Sequence, residues 1–127
     1  MERKIIRTFE DLRVWQKAIE FVKHVYLVTN QGELKRDFGL RDQIRRAAVS
    51  VPTNIAEGFE RATRRKEYLQ FLNIAKGSAG ETRSLFRVAW EVGYFDVETH
   101  EELRNAAITL SKFLFNQINS IRNAPQK

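Results

Sequence analysis

Apolar residues recur every three or four positions through four long stretches of this chain. Residues three and four apart lie on one face of an α-helix, so each stretch predicts an amphipathic helix. The 127 residues include only six glycines and two prolines, which favours long helices over a turn-rich β architecture. We therefore predict an all-α, up-down-up-down antiparallel four-helix bundle in one domain, residues 1–127, with helices at about 9–30, 40–61, 64–92 and 97–122.

Each predicted helix has one apolar row that we expect to face the core. The rows are Leu12, Trp15, Ile19, Val22 and Tyr26; Leu40, Ile44, Ala47, Val51, Ile55 and Phe59; Leu69, Leu72, Ala75, Ala79, Thr82, Phe86 and Ala89; and Leu103, Ala107, Leu110, Leu114, Ile118 and Ile121. Pro52 lacks an amide hydrogen, so we expect it to kink the second helix, with two shorter helices as the alternative. Thr8 with Asp11, Thr63 and Asp96 have the positions of helix caps, and Gly93 that of a helix stop.

The formal charge of +6 is concentrated in the first half of the chain. Residues 1–66 contain 15 Lys and Arg against 9 Asp and Glu, whereas residues 67–127 contain 7 of each kind. A basic surface attracts polyanions, because each phosphate that binds Lys or Arg releases counterions. The candidate nucleic-acid contacts are Arg13, Lys17, Arg41, Arg45, Arg46, Arg61, Arg64, Arg65 and Lys66. The alternative is a solvated rim that keeps the protein soluble; we find no zinc finger, recognition helix or aromatic RNA-binding pattern to support base-specific binding.

A second apolar row on the third and fourth helices exceeds what one bundle interior can bury. The candidate oligomer-interface residues are Phe71, Ile74, Leu85, Val88, Phe113 and Phe115, and Val92 continues the row. Exposed apolar rows normally mark a partner surface, so we predict a homo-oligomer. The alternative is a thick monomer core with a few exposed aromatic side chains.

A polar stripe follows the second helix beside its apolar row. It contains Arg46, Ser50, Asn54, Glu57 and Arg61, at helical spacing, and Ser78 and Glu81 stand in the second row of the third helix. We interpret these residues as a polar network that fixes register and oligomer geometry. We expect Glu57 to pair with Arg61, and Glu81 to meet Arg46 or Arg61 across helices or across subunits. The alternative is an active site on Glu57 and Glu81. Two carboxylates without a nucleophile, metal ligands or a phosphate loop are weak evidence for one, so we predict no enzyme.

Cofactor and metal chemistry finds little support in the sequence. Cysteine is absent. A metal site in a four-helix bundle needs a Glu three residues before each ligating His. Here those positions hold Phe21, before His24, and Val97, before His100. We therefore predict no cofactor, no metal site, and a surface or boundary position for both histidines. Gly77 and Gly80 stand inside the third helix, and we expect close approach of the second helix there, at Ala47, Ala48 and Ala56, with a phosphate contact as the alternative.

The chain also lacks the features of a membrane or secreted protein. Its first residues have no apolar signal-peptide segment, and no run approaches the roughly 20 apolar residues that cross a bilayer. We predict a cytoplasmic protein without a membrane partner.

Several segments resemble one bacterial protein family. Residues 43–58 read QIRRAAVSVPTNIAEG, residues 9–18 read FEDLRVWQKA, residues 74–83 read IAKGSAGETR, and residues 92–94 read VGY. These segments are similar to the four-helix-bundle proteins encoded in intervening sequences of bacterial 23S ribosomal RNA genes. The resemblance covers most of residues 9–95.

The resemblance implies a homopentamer with a central channel, and a relation to the accessory variability determinant proteins of diversity-generating retroelements. Those basic pentamers bind nucleic acid and a reverse transcriptase. The sequence and the resemblance together predict a non-enzymatic oligomer that binds the phosphate backbone of RNA or DNA, most readily RNA. The alternative is a scaffold that docks a protein partner such as a reverse transcriptase.

Overall fold

The computed structural model describes residues 5–61 and 63–125, which form four long helices and two short 3₁₀ helices. The long helices are α1 (Arg13–Thr29), α2 (Phe38–Arg61), α3 (Arg65–Glu91) and α4 (Val97–Arg122). The 3₁₀ helices span Phe9–Asp11 and Gly32–Arg36. No strand occurs in the described ranges, so the predicted all-α four-helix bundle is confirmed.

Pairs of contacting residues show that adjacent helices run antiparallel. Between α2 and α3, Ser50 contacts Ser78, whereas Gly58, further along α2, lies against Phe71, which is earlier on α3. The same reversal relates α3 to α4, where the pairs are Lys76 with Phe115 and Trp90 with His100. It also relates α1 to α4, where the pairs are Arg13 with Phe113 and His24 with Glu102. Helices α1 and α3 each pack on both α2 and α4, so the core lies between all four.

The start of α1 differs from the prediction. The segment around Thr8 and Asp11 forms the first 3₁₀ helix, and Leu12 has extended backbone angles that separate it from α1 at Arg13. The Asp11 carboxylate accepts hydrogen bonds from the amides of Thr8 (3.0 Å) and Arg7 (2.9 Å). The Thr8 and Asp11 cap that we predicted for α1 therefore belongs to the first 3₁₀ helix, and Asp11 binds the backbone amides at its start.

The core face of α1 was also predicted wrongly. The buried row is Val14, Ala18, Phe21, Val25 and Thr29. Of the predicted row, Leu12 is buried and Trp15 and Val22 are partly buried against the core, but Tyr26 is 43% exposed. Apolar residues cover more than half of the circumference of α1, so spacing alone allowed two rows, and packing on α2 and α4 selected one of them.

The predicted core rows of the other three helices are confirmed. Most of their members are buried, including Ile44, Val51 and Ile55 on α2, Phe86 on α3 and Leu103 on α4. Helix α2 continues through the buried Pro52, so two shorter helices are wrong, and the kink stays a prediction. Gly93, at φ +88°, follows the end of α3 as predicted.

The two predicted caps of α3 and α4 have different outcomes. Arg64 takes the N-cap position of α3 without a side-chain hydrogen bond, so the predicted Thr63 cap is wrong. Asp96 caps α4 as predicted, because its Oδ1 accepts a hydrogen bond from the Thr99 amide at 2.7 Å. This bond lowers the pKa of Asp96, since it stabilises the charged carboxylate.

We expect Asp96→Ala to lower the melting temperature at pH 7, because it leaves an amide of the first turn of α4 without its cap. The folded-state pKa of Asp96 lies below its ordinary value of 3.8, so the stabilisation is present above that pH and is lost as the pH falls through the folded-state pKa. The difference in melting temperature between wild type and variant should shrink from pH 7 to pH 2.5. Thermal melts followed by circular dichroism measure it, and a difference that grows on acidification would contradict the cap assignment.

Close helix approach occurs at a different glycine from those predicted. A Cβ added at Gly77 or Gly80 would meet nothing within 4 Å, so the predicted contact of these residues with α2 is wrong. At Gly58 an added Cβ would lie 2.6 Å from Phe71 Cβ and 3.2 Å from Tyr68 Cδ1. Gly58 therefore sets the spacing of α2 and α3 near their connection.

Within the described residues, none of the helices combines the length and the apolar character that a bilayer crossing requires.

Candidate nucleic-acid and partner surfaces

Two of the three candidate arginines at the start of α2 have partners within the chain. The Arg41 Nε donates to Asp42 Oδ1 at 2.9 Å, and its guanidinium lies over the Phe38 ring. The Arg45 Nε donates to the buried Thr29 Oγ1 at 2.8 Å and lies 4.5 Å from the Tyr26 ring centroid. Arg45 therefore joins α2 to α1, and its charge is partly withdrawn from solvent.

Arg46 is exposed and has no ion-pair partner in the described part of the chain. It lines an open recess between α2 and α3 together with Ser50 and Glu81. The predicted ion pair between Glu81 and either Arg46 or Arg61 is absent among the described residues of this single chain. Glu81 is exposed, so it has no need of a partner in the bundle.

The four candidate cations at the connection of α2 and α3 also divide into two with partners in the described chain and two without. Arg61 Nη1 lies 2.7 Å from Glu57 Oε1, which confirms the predicted pair, and Arg65 Nη2 donates to the Pro125 carbonyl at 3.1 Å. Arg64 and Lys66 are exposed, with no partner among the described residues. This end of the bundle therefore presents two cations that none of the described residues neutralises.

Arg13 and Lys17 belong to another face of the bundle. They lie 5.4 Å and 5.7 Å from the Phe113 ring centroid on α4, and Lys17 also pairs with Glu20 at 3.4 Å. The nine candidate cations are thus spread over the start of α2, the α2–α3 connection and the α1–α4 face. They form no single patch on one chain.

The predicted polar network between α2 and α3 is formed in part. Ser50 Oγ and Ser78 Oγ are 2.9 Å apart, and Asn54 Nδ2 donates to Ser50 Oγ at 3.0 Å and to the Ser50 carbonyl at 2.8 Å. Because Ser78 is buried, this contact fixes the register of α2 on α3. Glu57 joins its helix neighbour Arg61, and Glu81 stays outside the network.

The candidate oligomer-interface residues do not form one surface. Ile74 and Val88 on α3, and Val92 directly after it, are 52%, 43% and 57% exposed. Leu85 is 8% exposed and belongs to the core, so its prediction as an interface residue is wrong. The remaining three aromatic residues are separated: Phe71 is half-buried beside Gly58, Phe113 lies under the α1 cations, and Phe115 lies beside Lys76 of α3.

The two histidines have different environments. His24 Nε2 lies 3.1 Å from Glu102 Oε1 at a half-buried position. His100 is 3% exposed, which corrects the prediction of a surface or boundary residue, and its ring stacks on Trp90 with centroids 4.6 Å apart. No group of three or more His, Asp or Glu in the described ranges has the arrangement of a metal site.

Comparison with known proteins agrees with the sequence segments quoted above. The sequence model described as 23S rRNA-intervening sequence protein matches residues 10–116. The chain belongs to this family. A search of curated proteins finds no match.

A crystal structure of another protein is similar to this chain. It is a protein of unknown function from the S23 ribosomal protein family of Bacteroides thetaiotaomicron VPI-5482. The two chains share 29% sequence identity and superpose with a TM-score of 0.75, over 84% of this chain and 95% of the other. The similarity therefore extends over nearly the whole bundle.

The segment 43–58 that resembles the family lies entirely within α2. Ile44, Val51, Pro52 and Gly58 are its buried positions against the core and α3, together with Ala47, Ala48 and Ile55. Its polar member Ser50 forms the hydrogen bond with Ser78 of α3, and Asn54 donates a hydrogen bond to Ser50. In this chain the segment is thus a helix-packing element, and Arg46 is its exposed cation without a partner.

Sequence reasoning missed one basic cluster. Arg83, Arg87 and Arg104 line an open recess between α3 and α4 with Gly80, Ser84 and His100. They lie in the half of the chain whose charges cancel, so the charge asymmetry directed attention away from them. The spacing of Arg83 and Arg87, four residues apart on α3, was the one available indication.

Proposed function

We propose that this protein is a non-enzymatic, homo-oligomeric RNA-binding protein whose basic surface contacts the phosphate backbone. The observation that supports it best is that Arg46, Arg64 and Lys66 are exposed cations with no partner in the described part of the chain. Such cations stay hydrated and mobile until a polyanion supplies the counter-charge, and binding then releases the ions condensed on the nucleic acid. The net charge of +6 favours the encounter over long range.

Oligomerisation is supported by the exposed apolar side chains of α3. Ile74, Val88 and Val92 lie along one side of this helix, fourteen and then four residues apart. Burying them against a second copy would remove apolar surface from water. In a closed ring the separate cations of each copy would repeat around the assembly and form a continuous basic band.

The finer assignments rest on the family resemblance. It implies a pentamer and a relation to the accessory variability determinant proteins of diversity-generating retroelements. In that setting the exposed row of α3 would dock a protein partner such as a reverse transcriptase, and this docking role is the second candidate function. The cytoplasm is the compartment in which either role would operate.

We expect the nuclease-treated protein to form a particle of about 75 kDa, five times the 14.9 kDa chain, and to bind structured RNA in a salt-dependent way. If the assembly contacts six to ten phosphates, its affinity should fall by roughly 10³ to 10⁵ between 50 and 200 mM salt. Light scattering measures the mass of the particle, and fluorescence anisotropy of a labelled RNA hairpin measures the affinity.

Each part of the proposal fails on its own result. Equal affinity at both salt concentrations would exclude the backbone mechanism, and a 15 kDa particle would exclude the oligomer. A protein that copurifies stoichiometrically after nuclease treatment, together with an absence of RNA binding, would favour the docking role.

A further inference from the structure

The recess between α3 and α4 has the chemistry of an anion site. It encloses about 320 Å³ and is lined by Gly80, Arg83, Ser84, Arg87, His100 and Arg104. This volume is at the lower end of the range for small-ligand pockets. No carboxylate is among these lining residues, so the charged groups at the opening are three arginines, of which Arg87 pairs with Glu91 just outside the lining.

Two of these arginines have no partner in the part of the chain that the structure describes. Arg83 and Arg104 make no hydrogen bond or ion pair with any residue of the described ranges, whereas Arg87 Nε lies 3.1 Å from Glu91 Oε1. Like charges that converge on one recess repel each other, and a bound anion removes that repulsion. The unpaired cations therefore favour an anionic ligand.

His100 forms part of the α4 side of the recess, next to Arg104. Its side chain is buried and its ring is held by stacking on Trp90, but Nδ1 has no hydrogen-bond partner in the described structure. The nearest carboxylate oxygen, Glu101 Oε1, is 4.0 Å away, beyond hydrogen-bond distance. Nδ1 is enclosed by the chain and is not the atom that a ligand would contact, but the ring lies at the wall of the recess, so its ¹⁵N signals report on what binds there.

Gly80 keeps one side of the recess open. A Cβ at this position would meet nothing within 4 Å, so packing inside the chain does not require glycine there. Without a side chain, position 80 leaves the approach to Arg83 and Ser84 unobstructed. A helix-interior glycine that the fold does not need is consistent with a ligand that approaches the backbone.

We propose that this recess binds a phosphate group, with Arg83 and Arg104 as the main ligands and the Ser84 hydroxyl as a hydrogen-bonding group beside them. The planar guanidinium fork matches two phosphate oxygens at once, which a lysine cannot do. The phosphate belongs either to the backbone of a nucleic acid or to a free phosphate compound. Binding of a nucleic-acid backbone rests on the proposed RNA-binding function, whereas binding of a free phosphate compound does not.

The direct test follows the ¹⁵N signals of the imidazoles during titration of the wild-type chain with inorganic phosphate, 5′-AMP and a short single-stranded RNA. A His24→Gln variant assigns the two histidines, since His24 lies at the α1–α4 contact, away from the recess. We expect a saturable shift of the His100 signal with at least one probe and none for His24. An unmoved His100 with all three probes would overturn the site.

The matched variants are Arg83→Gln with Arg104→Gln and, as control, Lys23→Gln with Lys112→Gln, which removes the same charge at exposed positions elsewhere. We expect the recess variant to weaken the probe that shifts His100 at least tenfold, and the control less than threefold. Equal losses of affinity in the two variants would show that binding depends on the net charge of the protein, and would overturn the site. If phosphate and 5′-AMP bind but RNA does not, the ligand is a free phosphate compound; the recess proposal then stands and the RNA proposal fails. If RNA binds but the two small probes do not, the ligand is the nucleic-acid backbone.

Discussion

Replacing Gly58 with alanine is expected to lower the free energy of unfolding by about 1–3 kcal/mol, the usual cost of overpacking a close contact. The added Cβ would lie 2.6 Å from Phe71 Cβ, next to the backbone of α3, so no side-chain rotation can relieve the clash. Helices α2 and α3 would have to separate where their connection holds them together. Urea unfolding followed by circular dichroism measures the change.

Gly77→Ala is the matched control, because it makes the same substitution inside a helix where the added Cβ meets nothing. Alanine favours the helix over glycine, so this variant should gain about 0.5–1 kcal/mol. The two variants should therefore move the unfolding midpoint in opposite directions. If Gly58→Ala were as stable as wild type, the close approach of α2 and α3 at this position would be wrong.

Removing the two unpaired cations of the α2–α3 connection should produce the largest change in RNA binding. In Arg64→Gln with Lys66→Gln, each lost phosphate contact in one copy lowers the slope of log affinity against log salt by about 0.7, the value for single strands, to about 0.9, the value for B-form duplexes. For one contact per side chain the slope falls by about 1.4 to 1.8, and the affinity at 50 mM salt by roughly tenfold or more. Both residues are exposed, so the fold should not change.

Lys23→Gln with Lys112→Gln again serves as the charge-matched control. It should lower affinity less than threefold, because the net charge changes equally while the cations at the α2–α3 connection remain. Equal losses in the two variants would show that binding depends on the overall field alone. No loss in either variant would place the RNA contact on another surface, and the recess variant Arg83→Gln with Arg104→Gln would then be the one to compare.

The sequence predicted the fold well where a helix has one apolar row. Helix α2 is of this kind, and its Ile44 and Ile55 are fully buried as predicted. Helix α1 has two candidate rows, and the buried one contains Val14 and Phe21 rather than Ile19 and Tyr26. The choice depends on the direction from which α2 and α4 approach, which no local pattern contains.

The candidate surfaces were less predictable, because a sequence gives the number of cations but not their partners. Arg45 and Arg61 were indistinguishable from Arg46 and Arg64 until their bonds to Thr29 and Glu57 were located. Likewise, the α3–α4 recess joins Arg83 and Arg104, which are 21 residues apart in the chain. Their proximity follows from the antiparallel packing of two long helices.

By itself, then, the sequence determined the number of helices, most of their ends and the charge, since periodicity, Gly93 and the Asp96 cap act within a few residues of each other. The tertiary structure alone decided which glycine sets a helix contact, which face of α1 is buried and which cations remain unpaired. Those properties depend on atoms brought together from distant parts of the chain, where differences of about one ångström separate a contact from open space.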